Sequence, residues 1–284
     1  MRTLVKNIQK GIYLTSAFIF TLVLLSVGTK DKSFEAIEQA QEKAISDLPD
    51  QKNNAFTHGE ILSYKLYYGF MDAAVATLEV KKDAKRIAGR DCYHIVGNGN
   101  SKGTFDFFFK VRDRYETYID KDALLPWLFV RRCNEGGYLI NQDYIFNHYT
   151  NKVNIGEGNQ IDMTKGSQDM ISAFYAARNL DFTNAKKGDV FAMNCFLDKE
   201  NWPLKIRFVG KENVKTDLGT FRCLKFRPIV QKGRVFKKEE DLAIWISDDA
   251  NHIPVRAEAK ILIGSVKMDL LDYKNILNPI ARLN

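Results

Sequence analysis

The sequence predicts a mostly β protein: a large curved antiparallel sheet, a barrel or half-barrel, built from two pseudo-repeated meanders with one inserted helix. Three observations carry this reading. The first is a repeat of landmarks. Gly59-Glu60 and Gly188-Asp189 each open an apolar stretch, and Leu78-Glu79-Val80 answers to Ile206-Arg207-Phe208. Gly89-x-x-Cys92 answers to Gly219-x-x-x-Cys223, and Tyr118-Ile119-Asp120 to Trp245-Ile246-Ser247-Asp248, with Pro126 and Pro254 following. The second is the period. Outside one stretch between the copies, apolar residues alternate with polar ones, as they do in strands with one buried face. The third is strand number: roughly six strands per copy make a sheet that must curl or close to limit its exposed edges.

In the first copy (about 56–150), Leu62, Tyr64, Leu66 and Tyr68 share one strand face. Gly69–Asp72 turns the chain, and Ala74, Ala76, Leu78 and Val80 face one way on the return. Cys92–Val96 forms a short strand, Gly97–Asn100 a hairpin loop, and Thr104–Ile119 a long strand. Trp127–Arg132 and Tyr138–Phe146 follow, separated by Gly136-Gly137. In the second copy (about 187–275), Leu204, Ile206 and Phe208 alternate with Lys205 and Arg207, and Leu242, Ile244 and Ile246 with Ala243 and Trp245. Pro254 starts a strand and Gly264-Ser265 turns it. Between the copies the period changes. Ser167 is a good N-cap, Asp169 suits a first turn, and Met170, Phe174 and Ala177 stand at i, i+4 and i+7. That spacing predicts a helix over 168–179.

The start of the chain reads separately. Arg2, Lys6 and Lys10 precede the uncharged apolar run 11–29, the form of an export signal. Ser26 and Gly28 suit a cut after Gly28, and the run is also long enough to stay as an anchor. Residues 1–28 are therefore a signal peptide or signal anchor, 29–55 a polar spacer, and 56–280 a single β-rich domain. Formal net charge is +7. Without residues 1–28 the chain holds 39 basic against 35 acidic residues, which removes most of the case for a nucleic-acid partner.

The four cysteines, Cys92, Cys133, Cys195 and Cys223, form no CxxC pair, so zinc-ribbon and thioredoxin readings fail. Their pairing is left open, and buried free thiols in strands are the simplest reading. His58, His94, His148 and His252 make no metal-ligand spacing. His94 shares a strand face with Cys92, but adjacent i, i+2 side chains on a strand do not by themselves make a nucleophile pair. No GxSxG elbow occurs, and Asn98–Gly103 departs from the P-loop pattern. No catalytic residue, metal or cofactor is implied.

Two features could bind. Lys110, Arg112 and Arg114 alternate with apolar residues, giving an anion-binding stripe or a solvated face. Asp113, on the other face, would need a partner if buried, and Arg131 or Arg132 is expected. Aromatic residues crowd the first copy. Tyr64, Tyr68, Phe107, Phe109, Tyr115 and Trp127, with Met170 and Phe174 of the helix, are the candidate lining of a concave ligand site.

Gly59–Gly69 (GEILSYKLYYG), Phe109–Asp120 (FKVRDRYETYID), Leu125-Pro126-Trp127, Glu135–Tyr138 and above all Ile244–Lys267 (IWISDDANHIPVRAEAKILIGSVK) resemble the exported bacterial family known as domain of unknown function 3108. The resemblance covers roughly 56–275. It implies export and brings no catalytic residues with it. At fold level it extends to exported half-barrels that carry lipoproteins or sense lipid, in which a curved sheet holds a hydrophobic cavity under a helix. The resulting expectation is a non-catalytic protein of the periplasm or outer membrane, or one anchored in the inner membrane by residues 11–29. It would bind a lipid, glycolipid or lipidated partner. The alternative is an assembly partner, bound to another envelope protein, in cell-surface polysaccharide or outer-membrane biogenesis. An envelope glycan or lipid hydrolase has least support.

Overall fold

The computed structural model describes residues 48–229, 242–260 and 264–283. The signal and most of the spacer lie outside the described residues. The first copy supplies β1 (Ile61–Tyr68), β2 (Met71–Val80), β3 (Lys85–Ile87), β4 (Arg90–Ser101), β5 (Val111–Asp120), β6 (Pro126–Glu135) and β7 (Tyr138–Asn147). Short β8 (Lys152–Asn154) and β9 (Gln160–Asp162) extend it. The second copy supplies β10 (Val190–Leu197), β11 (Glu200–Thr216), β12 (Gly219–Pro228), β13 (Leu242–Ser247), β14 (Pro254–Lys260) and β15 (Ser265–Lys274), and β16 (Arg282–Leu283) ends the described chain. The helices are α1 (Gly103–Phe108) and α2 (Met170–Ala177).

All named strands join one antiparallel sheet, ordered β10-β11-β12-β13-β14-β15-β1-β2-β4-β5-β6-β7-β8-β9, with β16 on β12 and β3 on β4. The repeat explains this order. Setting aside β3, β8, β9 and β16, each copy is a six-stranded meander, and the last strand of the second copy pairs with the first strand of the first, from Ile61↔Lys274 to Tyr68↔Val266. The mirror-image seam would pair β7 with β10. It does not form, and the sheet is an open half-barrel. Residues 160–168 occupy that gap instead. The Asn201 side chain accepts from Thr164 N at 2.7 Å and donates to Asp162 O at 2.9 Å. Gln168 forms a parallel bridge with Cys195, donating to Asn194 O and accepting from Phe196 N. Across the same gap Phe196 of β10 packs edge-on against Tyr144 and Phe146 of β7. The two edges are held by one linker and one aromatic cluster, which limits the edge pairing an open sheet invites.

Three expected elements change. The long strand Thr104–Ile119 is instead α1 followed by β5. A six-residue helix on the rim needs no apolar periodicity, so its aromatic run reads as a strand. The expected loop Gly97–Asn100 belongs to β4. Gly97 sits at a close approach: a Cβ there would stand 3.1 Å from Leu78 Cδ2, tighter than an ordinary contact. The predicted 168–179 helix is shorter, Met170–Ala177, and its N-cap is Asp169 rather than Ser167. Ser167 Oγ donates back to Thr164 O instead. All four cysteines are free and buried.

The β6–β7 turn makes a testable demand. Gly136 has φ 60°, and a Cβ there would lie 2.7 Å from the Phe109 ring. Gly136→Ala should lower stability by about 1–2 kcal/mol, from the left-handed backbone alone, read as a shift in the urea midpoint at unchanged slope.

Candidate functional site

The site is built on α2. Asp169 caps it: Oδ1 accepts from Ile171 N at 2.7 Å and Ser172 N at 2.8 Å, while Asp169 N donates back to Ser172 Oγ. Thr117 Oγ1 donates to Asp169 Oδ2 at 2.5 Å, fixing the start of the helix to β5. Ser172, Ala173 and Tyr175 are buried. Tyr175 packs edge-on against Phe56 at 4.7 Å in a cluster with Val80, Ile95 and Ile119.

Another flank of α2, Met170, Ala173, Phe174 and Ala177, faces a cavity of about 220 Å³. The strands of the second copy make its other wall. Alternation puts Phe191 and Met193 of β10, Leu204 and Ile206 of β11, Phe226 and Pro228 of β12, and Ile244 and Ile246 of β13 on one face. Leu180 and Phe182, just after the helix, complete the apolar lining. Engineered apolar cavities of about 150 Å³ stay dry and take up an apolar guest; this one is larger and similarly lined.

Arg178 and His252 bring polar atoms to the wall, and both are engaged within the protein. Arg178 donates to Glu60 Oε1 at 2.6 Å and Oε2 at 2.8 Å, to Ala55 O at 2.8 Å and to Asn251 O at 2.8 Å. Both members of this ion pair are buried. Its guanidinium also lies over the rings of Tyr175 and Phe56. His252 Nδ1 lies 2.7 Å from Arg178 O. A carbonyl only accepts, so Nδ1 carries the proton. Burial holds the His252 pKa below the ordinary histidine value, so the ring is neutral at pH 7. The cavity therefore offers apolar contact and no unsatisfied charge.

The residues singled out in the sequence fall in several places. Met170 and Phe174 line the cavity. Tyr64 is buried with Leu62, Ile253 and Leu270. Tyr115 packs on the Phe129–Tyr144–Phe146 cluster and under the Arg131 guanidinium. Trp127 is buried, donating Nε1–H to Asp120 Oδ2 at 2.9 Å and packing against His148 and Tyr149. Tyr68 and Phe109 bracket Phe105 on the rim, and Phe107 stands 86% exposed. The cavity thus faces the second copy, and all six first-copy aromatics of the candidate lining lie outside it. Leu204, Ile206, Ile244 and Ile246 were legible as strand-face residues, whereas Phe191, Met193 and Phe226 were not singled out. Only the pairing of β15 with β1 shows that they curl toward α2.

The cationic stripe is also dispersed. Lys110 precedes β5, Arg112 pairs with Asp106 at 2.7 Å, and Arg114 pairs with Glu116 at 2.8 Å. Asp113 accepts from Asn134 N at 3.2 Å instead of forming an ion pair with Arg131 or Arg132. Arg132 pairs with Asp143. Near Cys92, His94 Nε2 lies 2.6 Å from Glu116 Oε2, and its ring stacks on Tyr118. The hydrogen bond to His94, with help from Arg114, holds Glu116 down at about 2. Burial pushes the Cys92, Cys195 and Cys223 thiols up to about 12 and Cys133 to about 11, so little thiolate forms at neutral pH. Among the described residues no cluster of three His, Cys, Asp or Glu could hold a metal. Among them, too, no helix is long and apolar enough to cross a membrane.

A family model described as "Protein of unknown function (DUF3108)" matches residues 63–271. No curated protein matches the chain. Among solved structures, the fold is similar to that of a β-barrel-like protein of the DUF1849 domain from Brucella abortus. The identity is 12%, over 79% of this chain and 100% of that one, with a TM-score of 0.50. A candidate lipoprotein from Parabacteroides distasonis matches at 15% identity over 79% of this chain and 99% of its own, with a TM-score of 0.36. A candidate exported protein with a YmcC-like fold from Bacteroides fragilis matches at 14% identity over 80% and 100%, with a TM-score of 0.29.

Proposed function

We propose that this chain, which belongs to the family described as Protein of unknown function (DUF3108), is a non-catalytic, exported cell-envelope protein that holds the apolar part of a lipid, glycolipid or lipidated partner. The observation that carries the reading is the cavity under α2. Its walls are aliphatic and aromatic, and its arginine is already paired with Glu60 and donates to two carbonyls. A ligand there gains by removing apolar surface from water, at roughly 25 cal/mol per Å². It finds no free cation for a carboxylate or phosphate, so a charged headgroup stays outside. The apolar run 11–29 behind three basic residues supports export. The high thiol pKa values and the engagement of His94 by Glu116 favour a binding role over nucleophilic catalysis.

The test uses N-phenyl-1-naphthylamine, an uncharged apolar fluorophore, together with native mass spectrometry of protein recovered from a bacterial envelope. The wild type should bind the probe and release an extractable lipid. Ala177→Phe, which fills the cavity from the helix side, should weaken probe binding at least tenfold while leaving the far-ultraviolet circular dichroism unchanged. Equal binding by both proteins, or no binding by the wild type, rejects the reading.

A further inference from the structure

Three loops at one end of the sheet carry exposed apolar side chains. The β1–β2 turn presents Phe70, 96% exposed, beside Met71; α1, between β4 and β5, presents Phe107 and Phe108, 86% and 77% exposed; the β6–β7 hairpin presents Leu139 and Tyr138. Contacts lock the loops together. Phe105 of α1 packs near Tyr68, and Phe109 lies against Gly136. Gly69 N donates to Ser265 O, Lys102 N to Ala73 O, and Gly136 N to Lys110 O. These bonds hold the loop backbones in place, so the exposed rings stand in solvent on a fixed frame. Soluble proteins rarely gather this many exposed large apolar side chains on neighbouring loops unless something covers them.

The charges among the tips indicate what covers it. Segments 65–72 and 102–112 hold Lys65, Lys102, Lys110 and Arg112 against Asp72 and Asp106. Both acids are already paired, Asp72 with Lys65 and Lys102, and Asp106 with Arg112. With Glu135 of the β6–β7 hairpin counted, the three loops hold four basic residues against three acidic ones, a small positive balance, with aromatic rings projecting from their tips. Aromatic residues settle at headgroup depth, and lysines beside them extend toward anionic lipid phosphates. We propose that this end of the sheet docks on an anionic lipid surface, with Phe70, Phe107 and Phe108 entering the headgroup layer. It shares no residue with the cavity, so its failure would leave the cavity reading standing.

The test keeps the full chain and, because residues 11–29 could bind vesicles by themselves, reads which position enters the lipid. An environment-sensitive nitrobenzoxadiazole label is placed at Phe107→Cys, the native thiols being buried. A second protein carries it at Asp122→Cys, just past the far end of β5, about 30 Å from α1 by strand rise. On phosphatidylglycerol vesicles the Phe107→Cys label should shift to the blue and the Asp122→Cys label should not. Lys110→Gln should weaken vesicle affinity about fivefold. No shift at Phe107→Cys, or an equal shift at both positions, overturns the proposal. So does a shift that grows with protein concentration without vesicles, which would assign the patch to a second copy. Unchanged affinity in Lys110→Gln overturns the anionic assignment.

Discussion

Arg178→Met should destabilise the protein by about 3–5 kcal/mol, the usual cost of breaking a buried ion pair from one side. Glu60 is fully buried, and the guanidinium is its ion-pair partner. With methionine at 178, Glu60 is left buried without its ion-pair partner. The loss is not confined to one pair. Arg178 is the C-cap residue of α2, and its side chain reaches the segment before β1 through Ala55 O and the β13–β14 connection through Asn251 O. These pieces come from the start, middle and end of the chain, so the cost should appear as a cooperative fall in the urea midpoint and not as local fraying. The double variant Glu60→Leu/Arg178→Met separates the two contributions. Replacing both charges with apolar groups should recover most of the loss. A single-variant loss below about 1 kcal/mol would show that the pair does not hold these segments.

The architecture was legible where it depends on local periodicity, and obscure where it depends on how distant strands meet. Glycine, Asp and Pro landmarks marked six strands per copy because turns need those residues wherever they occur. Met170, Phe174 and Ala177 marked a helix face because the 3.6-residue period is local. The site's other wall was not legible. Tyr115, Trp127 and Phe129 form as apolar a set as Phe191, Leu204 and Phe226, and no local rule says which set is packed shut and which is left lining a cavity beside α2. That choice follows from the seam at β15·β1 and the open one at β7/β10, both set by contacts far apart in sequence. The glycines of β4 misled for a related reason. At Gly97 the Leu78 side chain comes close from the neighbouring strand, which the segment alone reports as a loop.

The second large effect concerns pH. Asp169 is fully buried, and burial lifts its carboxyl from the ordinary aspartate value to about 6, although Thr117 and the two helix amides partly offset this. Folding therefore favours the protonated form. Between about pH 4 and pH 6 the folded state keeps a proton that the unfolded chain has released, so stability falls as pH rises through that window. A displacement of about two pH units corresponds to about 3 kcal/mol. Asp169→Asn removes the titration and keeps an amide oxygen to cap Ile171 N and Ser172 N. Other carboxylates, such as Glu116 and Asp106, are common to both proteins and cancel in the comparison. From pH 4 to pH 7 the stability of Asp169→Asn relative to wild type should thus rise by about 2 kcal/mol, measured by urea unfolding at each pH. Parallel curves would mean that Asp169 titrates as an ordinary carboxylate. The helix start, and with it the Met170–Phe174–Ala177 wall of the cavity, would then not depend on a buried proton.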